Sequence, residues 1–182
     1  EREFSGLRSA QPELFISVGM PLDAGAAGRV LALAQTDVDT IHLYGTMNGR
    51  EVGNGNPRYL KDMIREVHLK LVDNRIRDKV NLVFSGGIAA AEHMAKAMIC
   101  GADALAIDIP LLVALECRLC HDCRENRPCQ VKLEAVDPRW GAQRIVNLVS
   151  AWRNQLIEVM GAFGIREARR VRGEFGRSMW FE

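Results

Sequence analysis

Short apolar runs rich in β-branched residues alternate with longer helical stretches between residues 14 and 108. Four strands are predicted there, over residues 14–18, 39–43, 80–84 and 102–107. A helical pattern follows each of them, which is the signature of consecutive βα units that build a parallel sheet. Four such units make half of a (β/α)8 barrel, so the chain is predicted to be an α/β protein with a half-barrel fold.

A helical segment follows the last predicted strand. Beyond residue 137 the apolar residues recur at helical spacing, on a helix that Gly161 or Gly164 ends. The predicted apolar face consists of Ile145, Leu148, Val149, Trp152, Leu156, Val159 and Met160. We therefore predict two parts: a partial barrel over residues 1–136, with a cysteine-rich loop at 117–129, and a C-terminal helical extension over residues 137–182 packed on it.

A parallel sheet of four strands exposes two edges and one face, which is a liability unless something covers them. The first residue is Glu1 rather than Met, and the last residues end on an aromatic stretch. Both features suggest a piece of a longer protein. We therefore expect the partner to be the remaining half of the barrel, from the same protein or another subunit, and we expect an oligomer.

Composition narrows the possible partners further. The 182 residues are 48% hydrophobic and 26% charged, as in ordinary soluble domains. The net charge of +1 offers no field that would attract nucleic acid or an anionic membrane. No apolar run approaches the ~18 residues that a membrane span needs. The sequence therefore predicts a cytoplasmic protein without a nucleic-acid or membrane partner.

The third predicted strand runs directly into Ser85, Gly86 and Gly87. A helix begins behind them, which places backbone N–H groups where a phosphate can be held, and glycine allows the close approach. A tight βα turn without a ligand would explain the same residues. The strand that ends at Asp108 favours the phosphate, because the loops after a barrel's last two strands commonly share a phosphate site. In a doubly wound fold the same turn would also bind at the carboxyl edge.

The cysteine-rich loop contains four cysteines within thirteen residues: Cys117, Cys120, Cys123 and Cys129. A cytoplasmic chain rarely uses thiols in this pattern for disulfides, so a metal site is the better interpretation. Their spacing favours an iron–sulfur cluster, while zinc, a single iron or unligated thiols remain alternatives. His121 is a further candidate ligand. Cys100, between apolar helix neighbours, is interpreted as a buried hydrophobic residue.

Residues 80–129 resemble the flavin domain of the glutamate synthase large subunit, including its archaeal-type versions. The matching stretches are residues 81–88, 101–103 and 112–117, then Cys120 and His121, and residues 161–165 after the cluster. The resemblance implies the C-terminal half of a TIM (β/α)8 barrel that binds FMN, and a three-iron cluster held by cysteines. It also implies an oxidoreductase that adds glutamine-derived ammonia to 2-oxoglutarate and reduces the product at the flavin, with electrons from a donor subunit or a ferredoxin.

The resemblance implies that the backbones of Ser85, Gly86 and Gly87 bind the FMN phosphate. Asp108 stands at the position where the family has a glycine of the same phosphate site. The resemblance assigns the cluster to Cys117, Cys123 and Cys129, and the additional Cys120 makes a four-iron cluster with four cysteine ligands an alternative. Gly19 stands where the family has a lysine, and Arg50 and Arg58 are candidate replacements. A related flavin electron-transfer reaction is a further possibility. The rival hypothesis is a non-catalytic electron-relay or assembly subunit with a degenerate half barrel and a structural metal site.

Overall fold

A computed structural model describes residues 2–53 and 55–178 of the chain. Four strands and seven helices follow one another in these residues: α1 (Arg2–Ala10), β1 (Ser17–Pro21), α2 (Ala26–Leu33), β2 (Thr40–Tyr44), α3 (Leu60–Asp73), β3 (Asn81–Ser85), α4 (Ala91–Cys100), β4 (Ala104–Ala106), α5 (Ile109–Ala114), α6 (Pro138–Ala162) and α7 (Phe175–Ser178). Among the helices described, none is long and apolar enough to cross a membrane.

The four strands form one parallel sheet in the order β1-β2-β3-β4. Each strand therefore pairs with the next one along the chain, with a helix crossing over between them, as in successive units of a (β/α)8 barrel. The register pairs Gly19 with His42, His42 with Val83, and Val83 with Ala104. The predicted partial α/β barrel is confirmed.

The core lies between one face of the sheet and the helices. Side chains on this face are buried, and they are Met20, Ile41, Leu43, Leu82 and Phe84. The α3 residues that cover them are equally buried, including Met63, Ile64 and Val67. The opposite face of the sheet carries small or polar residues apart from Val83, and no covering layer in the part of the chain that is described. Because a barrel strand alternates between helix-facing and interior-facing side chains, this open face corresponds to the barrel interior.

The first strand lies later in the chain than predicted. It spans Ser17–Pro21 rather than residues 14–18, although Gly19 and Pro21 are poor strand formers. Proline is tolerated here because Pro21 is the last residue of β1, and the next N–H, from Leu22, donates to the Tyr44 carbonyl of β2 at 2.9 Å. Helix α3 begins at Leu60, and α5 ends at Ala114.

Helix α6 joins the C-terminal extension to the barrel units. Asp137 caps its first turn by accepting a hydrogen bond from Arg139 N at 3.2 Å. The helix packs on α4 and α5 and buries Trp152, while Val149 of the predicted apolar face is 52% exposed. The division at residue 137 stays a prediction, and residues 179–182 of the predicted extension lie outside the described residues.

A buried cluster of charged residues fastens the C-terminal segment to the amino end of the sheet. Asp103 accepts hydrogen bonds from Arg77 Nη2 at 2.5 Å, from Arg172 Nη1 at 2.6 Å and from Leu82 N at 2.8 Å. The Arg77 Nε group donates to His68 Nδ1 at 3.1 Å. In barrels this end of the strands serves stability rather than chemistry. The cluster therefore positions the sheet and leaves the carboxyl edge for a functional site.

His68 gives this cluster a predicted pH dependence. Burial, and then the charges of Arg77 and Arg172, lower its pKa from 6.5 to about 4. Between pH 6.5 and pH 4, His68 is protonated in the unfolded chain but stays neutral in the folded protein. The free energy of unfolding therefore falls as the pH is lowered through this range, by at most about 3 kcal/mol. Urea denaturation at pH 7 and pH 4.5 should show this loss in the wild type and a smaller loss in His68→Gln, which cannot titrate. Equal losses would contradict the assignment.

Candidate functional site

The glycine turn after β3 is held against the loop after β2. Gly86 and Gly87 have φ angles of +101° and +67°, which favour glycine. A Cβ on Gly86 would lie 2.6 Å from the Gly45 carbonyl oxygen, and one on Gly87 would collide with the backbone N and Cα of Gly49. Both glycines are therefore required by contact between two loops of the chain itself, whether or not a phosphate binds.

The backbone N–H groups of this turn nevertheless suit an anion. No described residue accepts a hydrogen bond from Gly86 N or Gly87 N, and the N-terminus of α4 has no side-chain cap at Ala90. His93 Nδ1 accepts a hydrogen bond from Ala89 N at 3.2 Å. The turn thus offers backbone donors beside a helix N-terminus, which is the arrangement that binds phosphate groups.

Asp108, which the sequence analysis placed at the phosphate site, is the N-cap residue of α5 in the structure. Its Oδ1 atom accepts a hydrogen bond from Ile109 N at 2.6 Å and caps the N-terminus of α5. The carboxylate thereby takes the position at this helix end that an anionic ligand would otherwise occupy. Its negative charge also opposes a phosphate nearby. The geometry therefore favours the β3 turn, and not the β4 turn, as a phosphate site.

A hydrogen-bonded pair lies on the open face of the sheet. His42 Nε2 is 2.8 Å from Ser85 Oγ, and both side chains are half-buried. Sequence reasoning placed Ser85 at the site for its backbone and missed His42. The signal was available, because the alternation in β2 puts Thr40, His42 and Tyr44 on the same side of the strand. A polar or ionisable residue on an interior face is the informative kind of exception.

The two arginines that the sequence suggested for the missing lysine are engaged elsewhere. The Arg50 guanidinium lies 3.6 Å from the centre of the Tyr59 ring. Arg58 forms ion pairs with Glu51 at 3.1 Å and Glu66 at 2.7 Å. Neither contact directs a free positive charge over the open face.

The four predicted ligand cysteines line one cavity of about 160 Å³, together with His121. Leu119 N lies 3.4 Å from Cys117 Sγ, so a backbone N–H donates to the sulfur. Five non-glycine residues of this region have positive φ angles, namely Glu116, Leu119, His121, Asn126 and Lys132. Such residues cost about 1–2 kcal/mol each. Among the described residues, no three potential ligands converge on one point.

The cysteine loop reaches the loop that packs on the glycine turn. Arg124, next to Cys123, donates from Nη2 to the sulfur of Met47 at 3.4 Å. Within the cysteine loop, Arg127 forms ion pairs with Asp122 at 2.7 Å and Glu125 at 2.8 Å. The cysteine cavity and the glycine turn therefore belong to one region at the carboxyl edge of the sheet.

Successive parallel βα units with an open interior face, a glycine turn at the carboxyl edge and a cysteine-lined cavity beside it define a partial (β/α)8 barrel with a ligand site at its usual edge. The conserved region in glutamate synthase matches residues 2–166 of the chain. The chain therefore belongs to the glutamate synthase family.

Several relatives agree with this assignment. The archaeal glutamate synthase (NADPH) of Methanocaldococcus jannaschii is 31% identical over 164 residues, which are 81% of this chain and 31% of that protein. The archaeal-type enzyme of Dehalococcoides mccartyi is 32% identical over 144 residues, 70% of this chain and 29% of that protein. The large chain from Azospirillum brasilense is 22% identical over 92% of this chain. The chain thus spans about a third of the length of its archaeal-type relatives.

Solved structures show the same fold. A mutant flavocytochrome b2 with pyruvate bound matches with a TM-score of 0.64 and 17% identity, over 95% of this chain and 36% of that one. The recombinant flavin-binding domain of baker's yeast flavocytochrome b2 matches with a TM-score of 0.63 and 17% identity, over 94% and 36%. At this identity the likeness establishes the fold alone.

Proposed function

We propose that this chain is the C-terminal half of the FMN-binding barrel of a glutamate synthase-type oxidoreductase that also depends on an iron–sulfur cluster. The reaction would be the reductive amination of 2-oxoglutarate with glutamine-derived ammonia, or a related flavin electron-transfer reaction. The partners would be the other half of the barrel and an electron-donor subunit or ferredoxin. The relatives named above carry the activity in their names, and this chain covers only part of each.

The observation that carries the proposal is the contact between Arg124 and Met47. Met47 belongs to the loop after β2, whose Gly49 packs on Gly87 of the turn suited to phosphate. Arg124 follows Cys123 in the cavity. This chain of contacts supports the proposal, because a cluster held by the cysteines would lie beside a flavin whose phosphate is held at the glycine turn, as electron transfer between them requires.

The residues present fit FMN at one turn. The backbone N–H groups of Ser85, Gly86 and Gly87 would hold the phosphate, because they lie at the carboxyl end of β3 just before α4. Asp108 was predicted at the same site, but its carboxylate already caps α5 and would face the phosphate with like charge. We therefore propose that Asp108 shapes the edge of the site without binding the phosphate. Bound FMN would supply the two-electron chemistry.

The cysteine cavity fits an iron–sulfur cluster better than a single metal ion. Tetrahedral zinc is more often held by two separated Cys-x2-Cys pairs. Here Cys117, Cys120 and Cys123 follow one another at intervals of three residues, which resembles the spacing of cysteines around an iron–sulfur cluster. The Cys117 sulfur already accepts a backbone hydrogen bond, a contact that tunes cluster potential. Cys117, Cys120, Cys123 and Cys129 are the proposed ligands, and the additional Cys120 favours a four-iron cluster.

Anaerobic purification of the natively assembled protein, followed by its visible spectrum and by assays of iron, sulfide, zinc and flavin, tests this proposal. Iron and sulfide together with stoichiometric FMN are the expected result. Iron without flavin would exclude the flavin enzyme and favour the electron-relay subunit, for which the capping role of Asp108 is the specific structural argument. Zinc without iron would exclude the cluster.

Single cysteine replacements are expected to separate ligands from bystanders. Cys117→Ser should lower the bound iron more than tenfold, because a thiolate ligand at the base of the cavity is lost. Cys100→Ser is the matched control. Cys100 is half-buried in α4, burial raises the pKa of its thiol, and it lies outside the cavity. Equal iron in the two variants would contradict the proposed ligands.

Cys120→Ser should convert the electron paramagnetic resonance signal of a four-iron cluster into that of a three-iron cluster.

A further inference from the structure

The open face of the sheet is built of two rows of residues that pair across the strands: Gly19, His42, Val83 and Ala104, then Pro21, Tyr44, Ser85 and Ala106 nearer the carboxyl edge. The contact between His42 Nε2 and Ser85 Oγ joins the two rows at 2.8 Å. The imidazole is therefore fixed toward the carboxyl edge, where ligands of barrels bind.

The position of Ser85 places His42 under any ligand that the glycine turn anchors. Ser85 immediately precedes Gly86, so a ligand with its phosphate on Gly86 and Gly87 leaves the turn over Ser85. Neighbouring strands are about 4.8 Å apart. His42 is thus one strand away from the anchor, and Gly19 is two strands, or roughly 10 Å, away. A ring carried on a chain from a phosphate held at this turn would therefore come within reach of the imidazole.

The row that contains His42 leaves room for a flat ring. Gly19 has no side chain, and a Cβ built on it would meet no atom within 4 Å. Ala104, at the other end of the row, is also small. Barrel interiors are usually filled by bulky branched side chains. Here Val83 is the one branched side chain of the row, and Gly19 on the other side of His42 leaves an open shelf over β1 and β2.

His42 is also the one side chain on the open face of the four strands that can carry a positive charge. Tyr44 is the other titratable side chain on that face. The nearby cations are committed, since Arg50 stacks on Tyr59 and Arg58 pairs with Glu51. A ligand ring over the shelf would therefore have His42 as its one possible cationic partner on this face.

These observations lead to a role that rests on the proposed function, because it takes FMN as the ligand. We propose that His42, oriented by Ser85, contacts the flavin ring from the barrel interior and raises its reduction potential. A flavin ring gains electron density when two electrons enter it, and protein charge close to the ring tunes its potential. A hydrogen bond donated by the imidazole stabilises the electron-rich reduced ring more than the oxidised ring. Ser85 acts through His42 and is a positioning residue.

The test is the midpoint potential of FMN bound to the natively assembled protein, measured by spectroelectrochemical titration. His42→Gln keeps a polar side chain of similar reach but cannot carry a positive charge. The ratio of its affinities for reduced and oxidised FMN should fall at least tenfold, which lowers the midpoint potential by about 30 mV for a two-electron couple. Ser85→Ala should lower it in the same direction by less. Ser17→Ala removes a hydroxyl from the amino end of the same face and should leave the potential unchanged.

The outcomes separate this inference from the proposed function. If His42→Gln binds FMN at the wild-type potential, the role of His42 is overturned and the flavin enzyme stands. If the wild type shows no flavin bands, both are overturned before any variant is made. Thermal melting by circular dichroism confirms that each variant is folded. Should His42→Gln fail to fold, Ser85→Ala decides, and an unchanged potential in that variant overturns the inference.

Discussion

Asp103→Asn is expected to lower the free energy of unfolding by about 3–5 kcal/mol, because it leaves the buried guanidinium of Arg77 without its carboxylate partner, while Arg172 keeps only its ion pair with Asp78. The Asp103 and Arg77 side chains are only 14% and 5% exposed, and Arg172 is 15% exposed. Asparagine has nearly the same shape as aspartate but carries no charge. Burial raises the pKa of the Asp103 carboxyl, but the hydrogen bond from Leu82 N, together with the hydrogen bonds and charges of Arg77 and Arg172, lowers it by more, so the pKa lies below its ordinary value. Urea denaturation at pH 7 measures the loss.

Asp62→Asn is the matched control for this prediction. The same substitution there removes an exposed charge that lies 3.6 Å from Lys61 Nζ. Exposed ion pairs contribute about 0–1 kcal/mol, and a carboxylate in the first turn of a helix contributes a similar amount. A loss in Asp103→Asn no larger than that in Asp62→Asn would show that the cluster does not fasten the C-terminal segment. Because the pKa of Asp103 is lowered on folding, the free energy of unfolding of the wild type should fall further below about pH 4, where Asp103 is protonated.

The barrel units could be predicted from the sequence because their pattern is local. A buried strand such as Asn81–Ser85 and an amphipathic helix such as Leu60–Asp73 each show their character within a few residues. The ends of elements depended on tertiary context instead. The strand Ser17–Pro21 contains a glycine and a proline, which local rules count against a strand, and it forms because it pairs with Thr40–Tyr44 along its whole length.

The charged cluster could not be predicted, because its members come from distant parts of the chain. Asp103 meets Arg77 across 26 residues and Arg172 across 69 residues. Nothing in the local pattern distinguishes Arg172 from the exposed arginines Arg169 and Arg170 beside it. Only the fold, which returns the C-terminal segment to the amino end of the sheet, brings these groups together.

The candidate site was predictable where spacing carries the chemistry. The four clustered cysteines and the Ser-Gly-Gly turn were identified from the sequence, and the structure places them in one region. The reason for the glycines could not be predicted in full. Sequence reasoning assigned them to the approach of a phosphate, whereas the structure shows that Gly45 and Gly49 of the neighbouring loop require them as well. The functional role of the turn therefore needs a test that separates packing from ligand binding.

Gly87→Ala is expected to destabilise the protein by about 2–5 kcal/mol and to abolish flavin binding. The residue has a φ of +67°, which costs about 1–2 kcal/mol for an L-residue. Its Cβ would also collide with the backbone of Gly49. Backbone atoms cannot rotate away as a flexible side chain can, so the two loops must separate, at about 1–3 kcal/mol more. Thermal melting gives the stability, and the visible spectrum of the purified protein gives the flavin content.

Gly164→Ala isolates the conformational part of this effect. Gly164 has the same φ of +67°, but a Cβ there would meet no atom within 4 Å. Gly164→Ala should therefore lower the free energy of unfolding by about 1–2 kcal/mol and leave the flavin content unchanged.

Gly28→Ala, at an exposed position of α2, should stabilise the helix by about 0.5–1 kcal/mol. If Gly87→Ala and Gly164→Ala lose equal stability, the loops after β2 and β3 are not packed as described. If Gly87→Ala then still binds flavin, the phosphate does not depend on this turn, because moving the Gly86 and Gly87 N–H groups would have removed its donors.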